Sequence, residues 1–277
     1  MTARRRSSSP YRQEDVIAGG SICLYRNDLG RPFGEEDQHV LTEMWALPPD
    51  IPDSYTRLEA AERALAAKHA FAWHPDFGYL SPFPEHCGTG LHVWAEFHLE
   101  GLNLIGDLAP VRAAVEAMRL AFSGIDADGI RNVGHVFRIW NRSTLGLSER
   151  KLVRRVMRIF EDIVTQELYA RQMLLEETPR IYEDSIVRAL SILKSARLIS
   201  PWELFDLLSP IRLAATLGHM SGITCRETID LMAAQAKKPE LPPSETSADE
   251  RRRDNRDAAL ADRTNRRFAN VQFTFSS

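Results

Sequence analysis

The first half of the chain contains several short stretches in which apolar and polar residues alternate. The clearest covers residues 91–99, where every odd-numbered position is apolar. A period of two residues is typical of a strand with one face in a core. Shorter stretches at residues 20–25 and 134–141 predict two further strands.

Other stretches repeat their apolar residues every three or four positions, as amphipathic helices do. This period predicts a helix beginning near Ser54, a second over residues 111–122, and a long third one beginning at Ser148. Residues 73–86 are rich in proline, glycine and aromatic side chains, which predicts an ordered but irregular loop.

The long helix carries an apolar stripe that includes Val156, Phe160 and Val164. A helix with such a stripe buries it against another layer of secondary structure. We therefore expect this stripe to pack on one face of a sheet that contains residues 91–99 and 134–141.

From about residue 179 the pattern becomes helical throughout. Ser200 followed by proline is typical of a helix start, and Thr224-x-x-Glu227 has the form of a capping box. A proline-rich polar run at residues 237–247 predicts a linker before one last, highly charged helix. The chain is thus expected to form an α+β domain to about residue 175 and then a helical domain.

Composition narrows the class of protein. The 277 residues are 44% hydrophobic and 26% charged, which is ordinary for a globular chain with a core and excludes a disordered or fibrous one. The net charge of −3 supplies no basic field for nucleic acid, so no nucleic-acid partner is expected. The chain contains no apolar run approaching the roughly 20 residues of a membrane span, so no membrane association is expected.

The cysteines and the first residues bear on the compartment. Cys23, Cys87 and Cys225 are an odd number and lie far apart, which argues against a disulfide framework and favours a reducing cytoplasm. Residues 1–15 form a basic, serine-containing segment without the apolar stretch of a signal peptide, and we expect a flexible tail there.

Several blocks resemble one family, the ATP:guanidino phosphotransferases. Gly78-Tyr79-Leu80 followed by Gly88-Thr89-Gly90-Leu91 resembles its G-Y-L and G-T-G-L motifs, with His98-Leu99 at the end of the next strand. Asn141-Arg142-Ser143-Thr144-Leu145-Gly146-Leu147-Ser148-Glu149 resembles its N-x-x-T-L-G-x-S-E motif. Glu167-x-x-Ala170-Arg171 resembles its E-x-x-A-R motif.

The second half resembles the C-terminal domain of McsB-type bacterial protein-arginine kinases. The matching run is Leu208-Ser209-x-x-Arg212-Leu213-x-x-x-Leu217-Gly218, and the match continues over residues 249–260. The resemblance implies an α+β fold in which an antiparallel sheet is flanked by helices and followed by an all-α C-terminal domain. It divides the chain into a catalytic-type domain at residues 16–177, shortened at its N-terminal end, and a helical domain at residues 178–270.

Kinases of this family hold the ATP phosphates with arginines, whose planar guanidinium pairs with phosphate oxygens. By carry-over, one such arginine position is His92 and another is Ser123, so both positions are degenerate in this chain. The family's S-S-R-x-R segment, which supplies two more arginines, has no counterpart in this sequence. Arg131, Arg138 and Arg142 lie near the same positions and are candidate substitutes; surface charge is the other interpretation of Arg131 and Arg138.

Glu36 is the candidate catalytic base. Gly34-Glu35-Glu36-Asp37 resembles the N-E-E-D-H motif, whose second glutamate has that role in the family. Gln38 intervenes before His39, which departs from the motif. An acidic surface turn is the alternative interpretation.

One group of side chains could in principle ligate a metal ion, namely His86, His92, Glu96 and His98. Because alternate strand positions lie roughly 7 Å apart, no metal site is predicted.

Residues 253–258 resemble the R-D-x-x-R-A motif with which McsB-type kinases bind phosphoarginine. This makes Arg253, Asp254 and Arg256 candidate phosphoarginine ligands, although Asp257 stands where the motif has its second arginine. A solvated helix is the alternative.

The leading hypothesis is a catalytically degenerate McsB-like pseudokinase that acts as a regulatory or protein-interaction module. The resemblance implies a protein partner, of the kind of a McsA-like adaptor or protease machinery, and a homo-oligomer. No cofactor is expected under this hypothesis. Mg-ATP would be required under the rival one, an active protein-arginine kinase with a remodelled site. A third alternative is a scaffold whose helical domain docks a partner.

Overall fold

The computed structural model describes residues 16–27, 39–45, 48–81, 83–125, 133–236 and 247–275. Its strands, numbered in chain order, are β1 (Ile17–Asn27), β2 (His39–Trp45), β3 (Trp73–His74), β4 (Gly78–Tyr79), β5 (Leu91–His98), β6 (Leu120–Gly124), β7 (Val136–Asn141), β8 (Met220–Ser221) and β9 (Gln272–Phe273). Five of them form one sheet in the order β2-β1-β5-β7-β6, with every neighbouring pair antiparallel. The predicted antiparallel sheet is therefore confirmed.

Eight α-helices lie in the described ranges and flank this sheet or follow it. They are α1 (Ile51–Ala66), α2 (Glu100–Ile105), α3 (Leu108–Ala117), α4 (Glu149–Glu176), α5 (Pro179–Ser195), α6 (Pro201–Thr216), α7 (Cys225–Ala236) and α8 (Ser247–Phe268). The α+β class with an all-helical continuation is confirmed, except that β8 and β9 pair as a two-residue ribbon within the helical half. The linker at residues 237–247 lies almost wholly outside the described residues.

The long helix packs on the sheet as its apolar stripe predicted. In β5 the odd-numbered residues from Leu91 to Phe97 are 0% exposed, and they share one hydrophobic cluster with Val156, Phe160 and Val164 of α4. The rings of Phe97 and Phe160 meet edge to face with centroids 5.2 Å apart. The apolar face of the sheet is thus the face that α4 covers.

One local prediction was wrong, and two others differ from the structure in detail. The helix predicted over residues 111–122 ends at Ala117, because Arg119 takes a φ of 61° and the chain then enters β6. The helix expected near Ser54 begins at Ile51. The loop at residues 73–86 contains the short hairpin β3–β4 and a 3₁₀ turn, so it is more regular than expected.

The helical half is held by its own caps and core. The Ser200 hydroxyl accepts a hydrogen bond from the Glu203 amide at 3.1 Å, and the Thr224 hydroxyl accepts one from the Glu227 amide at 3.2 Å, so both predicted helix starts are confirmed. Four leucines are buried in a second hydrophobic cluster, namely Leu190, Leu193, Leu208 and Leu213, and Leu207 and Leu217 pack against it. The domain boundary at residue 178 stays a prediction, since Val133 and Leu174 also belong to this cluster.

A buried ion pair lies where the sheet meets the helical half. Glu167 and Arg171 are 0% exposed, and the Arg171 Nε lies 2.7 Å from the Glu167 carboxylate. The same carboxylate accepts hydrogen bonds from the amides of Gly101 and Leu102, both at 2.9 Å, and so caps the start of α2. Burial raises the pKa of Glu167, while Arg171 opposes that shift. A Cβ on Gly101 would lie 3.0 Å from the Glu167 Oε1, so a larger residue there would require the buried pair to shift.

A second polar network crosses the same junction. Ser209 of α6 donates a short hydrogen bond to the Glu100 carboxylate, and the His98 Nε2 lies 2.8 Å from the Ser209 hydroxyl. The Glu100 carboxylate also lies 2.5 Å from the His135 Nδ1. Burial alone would lower the pKa of His135, but the hydrogen bond and charge of Glu100 outweigh it and raise that pKa. The network thereby ties α6 of the helical half to the end of β5.

Replacing Glu167 by alanine should lower the free energy of unfolding by about 3–5 kcal/mol, because Arg171 would stay buried without its carboxylate. Urea denaturation followed by circular dichroism measures this change. The matched control is Glu161→Ala, an exposed glutamate on the same helix, which should shift the stability by about 0.5 kcal/mol or less. Equal effects of the two substitutions would contradict the assigned role of the buried pair.

Candidate functional site

Two of the family-like blocks meet before β5. The Thr89 amide donates to the Thr144 carbonyl at 3.0 Å, and the Thr89 hydroxyl contacts the same oxygen at 3.0 Å. The Asn141 side chain accepts from the Val93 amide at 2.8 Å and donates to the Leu91 carbonyl at 3.0 Å. These contacts join segments about fifty residues apart and fix the position of β5. The residues of the motifs therefore build the scaffold on which the candidate site lies.

The side of the sheet away from α4 carries the residues that the family resemblance singles out. We call this side the outer sheet face, and its members are His92, Trp94 and Glu96 of β5, Arg138 and Trp140 of β7, and Ser123 of β6. The strand register places Trp94 opposite Trp140 and Arg138 between Glu96 and Ser123. The structure thus brings the predicted residues His92, Ser123 and Arg138 onto one surface.

Arg138 is already engaged on this face. Its Nη2 and Nε lie 2.7 and 3.1 Å from one oxygen of Glu96, and its guanidinium stacks over the Trp94 ring at 4.4 Å from the centroid. An exposed pair of this kind adds little stability. It nevertheless neutralises the arginine locally and fixes the direction of its fork. Arg138 is therefore a poor substitute for an arginine that must turn to a phosphate.

His92 is held as a neutral imidazole. Burial, together with the adjacent His86, lowers the pKa of His92 to about 4, and the Glu85 carbonyl opposes this only in part. The two imidazole rings meet edge to face with centroids 5.1 Å apart. At neutral pH His92 therefore contributes no positive charge to the outer sheet face, where the family resemblance expects an arginine.

The other predicted nucleotide residues divide between two surfaces and the undescribed part of the chain. Ser123 is half-buried beside Arg138 and carries no charge. Arg142 is exposed just beyond β7, and its amide donates to the Arg119 carbonyl at 3.3 Å, which places it at the end of the sheet rather than on the outer face. Glu36 and Arg131 lie outside the described residues.

The candidate phosphoarginine residues lie on α8. The Arg256 Nε lies 2.8 Å from the carboxylate of the neighbouring Asp257, and both side chains are largely buried. The Asp257 carbonyl accepts from the Ile199 amide at 3.2 Å and anchors this helix to the α5–α6 turn. Arg253 and Asp254 occupy the preceding turn. Because a carboxylate holds Arg256, its use as a phosphate ligand stays a prediction.

The metal interpretation finds no support in the geometry. His98 is 0% exposed and faces Ser209 at the junction, whereas His92 packs on His86. Within the described ranges, no three histidine, cysteine, aspartate or glutamate side chains are grouped to hold an ion. The same part of the chain contains no helix that is long and apolar enough to cross a bilayer.

Sequence reasoning missed the paired tryptophans. Trp94 and Trp140 lie opposite each other and give the outer sheet face an aromatic centre. The alternation of residues in each strand was visible in the sequence. The register that makes these two residues neighbours was not, because it depends on which strands pair and how they align.

Comparison with known families agrees with the motifs. Residues 34–170 match the C-terminal catalytic domain of ATP:guanido phosphotransferases, and residues 179–274 match the C-terminal domain of the protein-arginine kinase McsB. The chain therefore belongs to the ATP:guanido phosphotransferase family, in the branch that carries the McsB C-terminal domain.

Curated relatives are protein-arginine kinases. That of Moorella thermoacetica is 28% identical over 221 residues, which are 79% of this chain and 63% of the relative. That of Pelotomaculum thermopropionicum is 32% identical over 212 residues, 76% of this chain and 60% of the relative. The chain thus spans about three-fifths of the length of the curated relatives it matches.

Among solved structures, a duplicated taurocyamine kinase from Schistosoma mansoni aligns with a TM-score of 0.47 and 12% identity over 69% of this chain and 39% of that one.

The neutral state of His92 makes acid stability a test of its burial. Because its pKa falls from 6.5 to about 4 on folding, its contribution to stability is present above 6.5 and is lost as the pH falls toward 4. His92→Gln should therefore lose less stability than the wild type across this window, by up to about 3 kcal/mol.

Urea denaturation at a series of pH values measures the difference. The control is His69→Gln, at an exposed position, which should follow the wild-type profile. His98, whose burial also lowers its pKa, contributes in the same direction to all three proteins and cancels in the comparison. Parallel profiles of wild type and His92→Gln would contradict a buried neutral His92.

Proposed function

We propose that this chain is a catalytically degenerate member of its family that acts as a regulatory or protein-interaction module. The charge state of the outer sheet face carries this proposal. Neutral His92 and uncharged Ser123 stand at two positions where the family places phosphate-binding arginines. The nearby Arg138 is held by Glu96. The described part of this face therefore offers a triphosphate no uncompensated cation.

The expected loss of ATP affinity from two missing arginines supports the proposal. A hydrogen bond to a charged group contributes roughly 1.5–3 kcal/mol, so two lost arginines cost about 3–6 kcal/mol. At 1.4 kcal/mol per decade, this lowers ATP affinity by about 10² to 10⁴. Phosphoryl transfer depends on positioning and on neutralising the charge of the phosphate oxygens.

The rival activity would depend on Arg142 and on residues outside the described part of the chain. An active protein-arginine kinase with a remodelled site would take Glu36 as its base and Arg131 and Arg142 as phosphate ligands, with Mg-ATP as cosubstrate. Arg142 is exposed, which leaves it open to such a role. The aromatic and carboxylate chemistry of the outer sheet face favours the degenerate alternative.

The helical half is the part of the chain that supports the proposed protein partners. Its match to the McsB C-terminal domain supports a protein partner, such as a McsA-like adaptor or protease machinery, and a homo-oligomer. Recognition of phosphoarginine by Arg253 and Asp254 would be one way to select such a partner. Because Arg256 is paired with Asp257, direct protein contact is the favoured way.

The purified protein should transfer no phosphate from ATP to arginine in itself or in a generic protein substrate. The measurement is phosphoarginine detection by mass spectrometry after incubation with Mg-ATP. Calorimetric titration with Mg-ATP should show no binding in the micromolar range.

Glu36→Gln is the matched variant for this assay. Phosphoarginine formed by the wild type and absent with Glu36→Gln would overturn the proposal and establish the rival. Nucleotide binding that is lost in Arg142→Gln, but not in Arg138→Gln, would place the remodelled site at the end of the sheet.

A further inference from the structure

The first half of α4 carries an array of cations. Lys151, Arg154, Arg155 and Arg158 are all exposed, and we call them the α4 basic ridge. No carboxylate in the described part of the chain forms an ion pair with any of the four. The neighbouring Arg150, by contrast, lies 3.6 Å from Glu59. Within the described residues, the ridge therefore carries four positive charges that no carboxylate pairs directly.

The ridge is locally unfavourable for the helix. Lys151 and Arg155, like Arg154 and Arg158, are separated by four residues and face each other as like charges, which destabilises a helix. The array also begins in the first turn, where the helix dipole disfavours cations. An arrangement that costs the folded chain stability suggests a role outside folding.

A groove of about 250 Å³ opens beside the ridge, between α4 and the end of the sheet. Leu120, Leu147 and Leu152 give it an aliphatic lining, and Arg119 and Arg155 lie at its rim. The Arg155 Nη2 donates to the Met118 carbonyl at 3.1 Å, which holds this arginine across the groove. The groove and the ridge therefore share a residue and form one surface.

The conformation of Arg119 points to the same surface. Its φ of 61° is a left-handed conformation that glycine adopts without strain and an arginine does not. The exposed side chain of Arg119 stands beside Arg142, whose amide bonds to the Arg119 carbonyl. This strained position therefore places one exposed cation, Arg119, in the lining of the groove.

We propose that the groove and the α4 basic ridge together bind an acidic protein segment. One aliphatic side chain of that segment enters the groove, and its carboxylates lie against the ridge. This inference rests on the proposed role as an interaction module and assigns it a surface and a partner chemistry. Charge complementarity selects an anionic partner, and the leucine lining selects one with an apolar anchor.

A protein segment fits this surface better than a nucleic acid does. Single-stranded nucleic acids bind on aromatic platforms, and none of the groove-lining residues is aromatic. The overall charge of −3 gives no long-range attraction for any anionic partner, a protein segment included. The attraction is therefore local to the ridge and the groove.

The test uses the full chain and two synthetic fluorescein-labelled peptides, one of glutamates around a central leucine and one with serine in place of that leucine. Fluorescence anisotropy should show that the leucine peptide binds the wild type. The triple variant Lys151→Gln/Arg154→Gln/Arg158→Gln should bind it about tenfold more weakly, which corresponds to about 1.4 kcal/mol. The serine peptide should also bind the wild type more weakly, because the groove stays empty.

The matched control is Arg57→Gln/Arg180→Gln/Arg266→Gln, which removes the same charge from three exposed positions elsewhere. It should bind the leucine peptide like the wild type. The ridge variant should also keep or raise the urea midpoint, because repulsion within α4 is relieved. A ridge with a merely structural role would instead lose stability together with binding.

Several results would overturn the inference. They are no binding of the leucine peptide to the wild type, equal losses in the ridge and control variants, and equally tight ridge-dependent binding of a single-stranded oligonucleotide or of phosphatidylserine vesicles. The phosphoarginine assay reports separately on the proposed function. If the protein neither transfers phosphate to arginine nor binds the leucine peptide, this inference alone is wrong. If it transfers phosphate and also binds the peptide, the degenerate-kinase proposal alone is wrong.

Discussion

The carboxylate of Glu167 is the point on which the rest of the structure depends. It lies without solvent contact at the meeting of α4, α2 and the end of β5, and it compensates the buried Arg171 while capping α2. The Arg171 Nη2 in turn donates to the His98 carbonyl at 3.3 Å. A buried charge is costly unless it is paired and hydrogen-bonded, so this arrangement tolerates few alternatives. Through His98 and Ser209 the constraint reaches the helical half.

This dependence explains which parts of the family pattern remain in the chain. Thr89, Asn141 and Thr144 fix the backbone around β5, and Glu167 and Arg171 fix its far end. Each of these residues forms contacts within the protein that stabilise the fold whether or not a nucleotide binds. Losing any of them would leave buried polar groups without partners. His92 and Ser123 lie on the half-exposed outer face instead, where a change of residue alters charge and leaves the hydrogen bonds of the scaffold intact.

The sequence predicts elements well where a single period dominates. The alternation over residues 91–99 corresponds closely to β5, because one face is fully buried. The prediction for residues 111–122 failed because Leu120, Ala121 and Phe122 are apolar in succession and satisfy a helical period as well as a buried strand. No glycine marks the break, since Arg119 itself adopts the left-handed conformation.

For the candidate site, the sequence predicted individual residues but not the contacts between them. The resemblance identified His92 and Ser123, but the pairing of Arg138 with Glu96 requires the register of β5 against β7. The contact of Ser209 with Glu100 joins residues 109 positions apart and depends on how two layers pack. Local patterns carry no information about such contacts. Periodicity therefore predicted the scaffold, while the charge state of the face depended on tertiary structure.

The distribution of arginines connects these features. On the outer sheet face, Arg138 contacts the carboxylate of Glu96 and the ring of Trp94. On α4, Arg154 and Arg158 have no such match in the described part of the chain, although glutamates at these exposed positions would relieve the repulsion. The charged side chains of both surfaces lie outside the hydrophobic cluster under α4. Among the described residues, the arginine of the outer sheet face is thus paired with a carboxylate, whereas the cations of the α4 basic ridge beside the groove are not, and this contrast is why we propose the anionic contact on the helix rather than on the sheet.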